Sequence, residues 1–323
     1  MKHSKIRVLS LFSGIGGFEL GLETIPGVKI IGFSEIDEYA ISVYKKHFSD
    51  VKNYGDVQKI KTQQLPNFDI LVGGFPCQSF SVAGSKKGFN DTRGSLFFEI
   101  ARILKNKKPR HFILENVKGI LSNDKGRTFQ TILKVLSNLG YIIEWQVLNS
   151  KNFGVPQNRE RVYFVGHLRG KSKPKVFSLT KSSKVSETSR KKKRQGNSQI
   201  SSTIISNYKR GTYAGGEQYI IETNSSQPKL LTKNLGQAQR VFSTNGISVS
   251  IIALGGGQGA KTGLYEVKKG TQIRRLTPIE CERLQGFPDN WTDGLSDTQR
   301  YKCLGNAVTT NVIEWIGKQL YEC

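Results

Sequence analysis

The chain has 323 residues, 37% of them hydrophobic, and a formal charge of +24. That length suits two domains, or one with a large insertion, and the composition supports a sizeable core. No apolar run approaches the length of a membrane span, and residues 1–6 lack the apolar region of a secretory signal, so a soluble, cytoplasmic protein is expected.

Residues 6–12 (IRVLSLF) read as a buried strand, followed by a glycine-rich turn at 13–17 and a helix over 18–24. A second strand covers 29–34, a helix 38–48, and a third strand 68–73. A helix over 97–105 precedes a strand at 111–115, and a helix over 128–139 precedes strands at 142–148 and 161–166. Strands alternating with helices predict an α/β protein with a parallel, doubly wound sheet. The pattern changes after Leu168. Residues 171–202 are rich in Ser, Thr, Lys and Arg around RKKKR at 190–194, and read as a solvated basic linker or a DNA-contacting tail. Residues 204–267 hold short strand-like runs and many glycines. Thr277 starts a helix, with Pro278 at its first position and Glu280 completing a capping pattern. The tail over 310–321 is helical again.

The charge is uneven. Residues 169–275 carry 21 Lys and Arg against 4 Asp and Glu, whereas residues 276–323 carry 4 against 7. A basic middle third points to a polyanion, most simply nucleic acid, or to generic surface lysines. The four cysteines, Cys77, Cys281, Cys303 and Cys323, have no metal-site or redox spacing; no metal is expected, and three of them read as small buried hydrophobes.

Four segments carry chemistry. Phe12-Ser13-Gly14-Ile15-Gly16-Gly17 follows a strand and opens a helix, where glycines let the backbone approach a ligand. Nicotinamide, flavin and adenosylmethionine proteins all use such turns, but the spacing is not that of the dinucleotide fingerprint. Glu35, at the end of the next strand, fits ribose hydroxyls, and Asp56 could accept from an adenine amino group; a helix cap or a surface charge is the alternative for each. In Gly73-Gly74-Phe75-Pro76-Cys77-Gln78, a cysteine beside a rigid proline just past a strand end is better explained by reactivity than by packing. Glu115-Asn116-Val117 ends the following strand, and Arg159 and Arg161 share a face of an extended segment.

These residues match a known family. FSGIGGF, GGFPCQSFS, RGSLFFEIARIL, ENVKG, NFGVPQNRERVYFVG, RVFSTNG, GGGQGAKTG, RRLTPIECERLQGFP and GNAVTTNV appear in the order found in bacterial DNA (cytosine-5)-methyltransferases of restriction–modification systems. The chain resembles the HhaI-type branch over nearly its whole length, except about 169–232. The resemblance implies a Rossmann-like methyltransferase sheet with a smaller, mostly β or irregular target-recognition domain. Residues 1–175 with 304–323 would form the catalytic domain, 176–275 the recognition domain with its linker, and 276–303 a hinge. It implies S-adenosyl-L-methionine as cofactor, bound by Phe12, Gly14, Gly16, Glu35, Ile36, Asp56, Val57, Pro76, Leu96, Asn306 and Ala307. Cys77 would be the nucleophile, Glu115 and Arg161 would hold the base, and Arg159 and Ser81 would assist at the base or its phosphate. Ser81, Ser85, Gln237, Arg240 and Ser250 would contact double-stranded DNA, with Gln237 filling the gap left by the flipped base. Arg240 suits a guanine edge or a phosphate. The protein would act as a monomer, and a cognate restriction endonuclease would share its site without binding it. Three positions depart from the pattern: Ile36 where an aromatic residue is frequent, Ser250 for threonine, and Leu254 for tyrosine.

The chemistry explains the residue types. A thiolate adding to C6 of cytosine makes C5 an enamine-like carbon, and cysteine ionises more readily than serine. A carboxyl at N3 and a guanidinium near O2 offset the charge that builds on the ring. In a duplex, neighbouring bases cover C6, so the base must rotate out. The 85–93 segment reads as a lid over DNA or an ordinary surface loop. A tRNA substrate, as in a eukaryotic branch of the family, is the alternative; the recognition region favours DNA. A non-catalytic DNA-binding protein and a nicotinamide oxidoreductase fit less well, given the intact Cys77, Glu115 and Arg161 and the glycine spacing.

Overall fold

The computed structural model describes residues 5–76, 96–171, 176–177, 241–243, 248, 250–251, 264–268 and 272–321. Strands β1 (Ile6–Leu11), β2 (Val28–Ser34), β3 (Ile70–Gly74), β4 (His111–Val117), β5 (Tyr141–Asn149) and β6 (Glu160–Leu168) form one sheet in the order β2-β1-β3-β4-β6-β5. Helices α1 (Gly17–Glu23), α2 (Glu38–His47), α3 (Leu96–Lys107) and α4 (Arg127–Asn138) alternate with the strands, and α5 (Pro278–Gln285), α6 (Asp297–Asn306) and α7 (Thr310–Tyr321) return to them. Strands β7 (Val241–Ser243), β8 (Leu264–Lys268) and β9 (Gln272–Arg274) form a separate three-stranded sheet.

The strands read as apolar runs because both faces of the sheet are covered. Leu9 and Leu11 point to the face where Phe97, Ile100 and Leu104 of α3 and Ile132 and Leu136 of α4 pack. Val8, one residue out of phase, points to the opposite face, against Phe18 and Leu22 of α1 and Val312, Ile313 and Ile316 of α7. A third apolar cluster joins Ile15, Phe33, Tyr44 and Phe48 to Leu276, Cys281, Leu284, Phe287, Trp291 and Tyr301. Residues 276–304 are thereby packed beside the glycine turn and α2. Thr277 accepts from the Glu280 amide at 3.2 Å while its own amide donates to Glu280 Oε2 at 2.7 Å, which is the predicted cap.

The sheet departs from the parallel expectation at one strand. β1 is parallel to β2 and β3, and β3 to β4, but β6 runs antiparallel to both β4 and β5. Only residues 150–159 connect β5 to β6, too few for a helical crossover, so the chain turns back on itself. The reversal has a consequence for the site: the beginning of β6 lies at the same sheet edge as the ends of β3 and β4, and Arg161 pairs in register with Val117. The chain leaves β1 for β2 on one side and reaches β3 on the other, so a crevice opens where β1 and β3 end.

Candidate active site

The first wall of this crevice is backbone. Phe12, Gly14 and Gly16 all have left-handed conformations, with φ of 53°, 55° and 89°. Gly16 has no alternative, since a Cβ there would lie 2.6 Å from the Phe48 ring. Glu35 braces the turn: one carboxylate oxygen accepts from the Gly14 amide at 2.9 Å, the other from the amides of Ile36 and Asp37 at 2.8 and 3.0 Å. Asp56 caps the short helical turn Val57–Lys59, accepting from the Gln58 amide at 3.0 Å.

The second wall carries side-chain charge. Arg161 Nε lies 2.9 Å from Glu115 Oε1, with both side chains largely shielded from solvent. Gly74 makes room for this pair, because a Cβ there would sit 3.1 Å from Glu115 Oε2. Asn116, buried next to Glu115, donates to the Phe75 carbonyl at 2.9 Å and so fixes the segment leading to Pro76. Arg159 is 3% exposed and donates to the carbonyls of Ile251, Gly305 and Ala307 at 2.9, 3.0 and 2.8 Å. Burial lowers its pKa to about 9, which leaves it charged at neutral pH. Its Nε has no partner among the described residues.

Phe12, Gly14, Glu35, Pro76, Glu115, Arg159, Arg161 and Asn306 line one cavity of about 310 Å³. Gly16, Ile36, Asp56, Val57, Leu96 and Ala307 are outside its lining. Ile36 stands 69% exposed next to Glu35, whereas Val57 is buried in the core and Leu96 packs against it. Ser250 is 8% exposed, beside the Ile251 carbonyl that Arg159 holds. Cys77, Ser81, Ser85, Gln237, Arg240 and Leu254 lie outside the described residues. Two other thiols are buried, and burial pushes Cys281 well up and Cys303, which lines the same cavity, up to about 12. A larger cavity of about 420 Å³, lined by Arg7, Asp69, Leu22 and Leu320, opens at the beginnings of β1 and β3, the end of the sheet opposite the glycine turn.

The family model for C-5 cytosine-specific DNA methylases matches residues 6–322. The chain belongs to that family. This methylase is 40% identical to the type II methyltransferase M1.ScrFI of Lactococcus lactis subsp. cremoris, over 99% of this chain and 79% of the relative. It is 38% identical to the type II methyltransferase M.HhaI of Haemophilus parahaemolyticus, over 96% of this chain and 93% of the relative. A structure of DNMT2 from Spodoptera frugiperda shares the fold, with a TM-score of 0.68 at 21% identity over 98% of this chain and 100% of that one.

Sequence reasoning missed two residues that brace the glycine turn and the edge of its cavity. Trp291 donates its indole N–H to the Ile15 carbonyl at 2.8 Å, and its ring stacks on His47 with centroids 3.6 Å apart. It holds the glycine turn from behind. Lys302 of α6, at the cavity, pairs with Asp37, the cap of α2. Neither residue belongs to a short motif with a chemical meaning; an aromatic residue just past the Gly-Phe-Pro run at 286–288 was the available signal for Trp291.

Proposed function

We propose that this methylase transfers a methyl group from S-adenosylmethionine to C5 of a cytosine flipped out of double-stranded DNA, with Cys77 as nucleophile, as the modification enzyme of a restriction–modification system. The observation that carries the reading is the convergence of the Gly14–Glu35 turn and the Glu115–Arg161 pair on one cavity, with Pro76 at its wall and Cys77 next in the chain. The restriction–modification role follows the type II methyltransferases to which the chain is similar.

The residues fit the cofactor. A Cβ on Gly14 would meet nothing within 4 Å, so the space before the turn is open. Phe12, Gly14 and Gly16 would hold the methionine part, Glu35 the ribose, Ile36 and Asp56 with Val57 the adenine, and Pro76, Leu96, Asn306 and Ala307 the remainder. When bound, S-adenosylmethionine supplies an electrophilic methyl group to C5. Cys77 adds as the thiolate to C6, and the electron pair of the C5–C6 double bond moves toward C5. Glu115 delivers a proton at N3, Arg161 faces O2, where electron density rises, and Arg159 assists at the base or its phosphate. Loss of the C5 proton to a water molecule then expels the Cys77 thiolate, N3 returns its proton to Glu115, and the ring is restored. Asn116 holds the Phe75 carbonyl, in the segment that precedes Cys77 in the chain.

Residues 1–175 with 304–323 would form the catalytic domain and 176–275 the recognition domain, with 276–303 between them. The excess positive charge of 169–275 suits the DNA backbone. Ser81, Ser85 and Ser250 would contact phosphates, Gln237 would fill the vacated stack, and Arg240 would read a guanine. The protein would act as a monomer in the cytoplasm, and a cognate endonuclease would cut the same site without binding the methylase. Labelled methyl transfer to duplex DNA tests the reading: the wild type should transfer and Cys77→Ala should not. Full activity of Cys77→Ala would overturn the mechanism, and transfer to tRNA but not duplex DNA would overturn the substrate.

A further inference from the structure

Asn306 ends α6 and faces the cavity, yet its own side chain is exposed and gains no position from packing. The carbonyls at a helix C-terminus have no partners within the helix and must find others. Here two buried side chains take them. Arg159 donates to the carbonyls of Gly305 and Ala307, the residues on either side of Asn306. Gln285, the last residue of α5 and fully buried, donates its amide to the carbonyls of Leu304 at 2.9 Å and Ala307 at 3.2 Å. The Gln285 amide is itself oriented: its oxygen accepts from the Thr309 hydroxyl at 2.7 Å, and Thr309 meets the Ser150 hydroxyl at 2.8 Å. The Ser150 amide donates to the Arg159 carbonyl at 3.1 Å. A closed polar network thus runs from the cofactor side of the cavity, through α5, to the start of the strand that presents Arg161.

We propose that Gln285, oriented by Thr309, is a positioning residue for the S-adenosylmethionine site, acting through the Leu304 and Ala307 carbonyls to set Asn306. This rests on the cofactor reading above. Neither residue touches the cavity, so neither is catalytic. A buried amide that satisfies two carbonyls and one hydroxyl has one geometry, and that geometry fixes the loop. Removing it takes the side-chain donor from the Leu304 carbonyl and leaves the Ala307 carbonyl to Arg159 alone, so the loop loses one of its two anchors.

Calorimetric titration of the full chain with S-adenosylhomocysteine tests this, alongside the unfolding midpoint and the separate KM values for cofactor and DNA. Gln285→Met keeps the length and apolar bulk but loses the hydrogen bonds; it should weaken cofactor binding about tenfold, the size of losing a buried hydrogen bond. The cofactor KM should rise in step while the DNA KM stays within twofold. Thr309→Val should weaken binding less, Thr309→Ser should restore it, and the Gln285→Met, Thr309→Val double variant should bind no worse than Gln285→Met alone. Wild-type affinity in a folded Gln285→Met would overturn the proposal. If Gln285→Met does not fold, equal affinity of Thr309→Val and Thr309→Ser overturns it instead. A wild type that binds no S-adenosylhomocysteine overturns the cofactor reading itself, a separate result.

Discussion

The two walls of the cavity are built differently. The glycine turn is held by conformation: left-handed residues, a carboxylate gripping amides, and a tryptophan and a phenylalanine filling the space behind. The opposite wall is held by charge: Glu115 and Arg161 stand two residues apart in register on adjacent antiparallel strands, and their ion pair joins them in the room that Gly74 leaves. The difference teaches where substitutions should act. Changes behind the first wall alter the shape of a binding surface and should appear in cofactor affinity or stability. Under the proposed function, changes in the second wall would remove charge from beside the reacting ring and should appear in rate.

The largest effect should come from the charged wall. Glu115→Gln keeps the shape and removes the proposed proton donor, so single-turnover methylation should slow by about 10²–10⁴-fold, the usual contribution of general acid catalysis. S-adenosylhomocysteine affinity should be unchanged. A loss of affinity equal to the loss of rate would erase the distinction between the walls.

Behind the turn lies Glu19, fully buried and accepting from the Tyr44 hydroxyl at 3.1 Å, with Glu23 nearby. Burial raises its pKa from 4.5 to about 7. The folded chain therefore keeps this proton where the unfolded chain has lost it. The corresponding stability is full below about pH 4.5 and is lost as pH rises to about 7. Glu19→Gln cannot lose a proton, so denaturant titrations should show its advantage over wild type growing by about 3 kcal/mol between pH 4.5 and 8. A constant difference across that range would mean that Glu19 is charged in the folded protein.

A smaller effect is expected from Trp291→Phe, which keeps an aromatic ring against His47 but loses the hydrogen bond to Ile15. Titration should show cofactor affinity lower by about 1 kcal/mol, with the methylation rate at saturating cofactor preserved. A fall in that saturated rate would show that the turn also governs chemistry.

Much of the sheet was legible in the sequence because its central strands are buried on both faces and read as unbroken apolar runs, as in VLSL, ILVG and FIL. The glycine turn and Glu115-Asn116 were legible because left-handed backbone and strand-end carboxyls leave local marks. The reversal of β6 was not, since strand direction depends on the connection and not on the strand. Helix α6 was missed because DTQRYKCLGN lacks an apolar stripe, its buried residues being Tyr301, Cys303, Leu304 and Gly305 near one end. Arg159 carried a motif, but its partners, Ile251, Gly305 and Ala307, are far away in the chain and are backbone atoms that leave no trace in residue type. Gln285 left one trace: it follows Cys281 by four residues on the buried face of α5, where an apolar residue would be ordinary.

The assignment of Cys77 as the attacking group is tested most directly on a duplex carrying 5-fluorocytosine at the methylated position. Fluorine at C5 cannot leave as a proton does, so a thiolate added at C6 stays attached after methyl transfer. Peptide mass spectrometry should find the adduct on Cys77 and only in the presence of S-adenosylmethionine. Methylation of ordinary duplex DNA without any adduct, or an adduct on Cys281, Cys303 or Cys323, would contradict it.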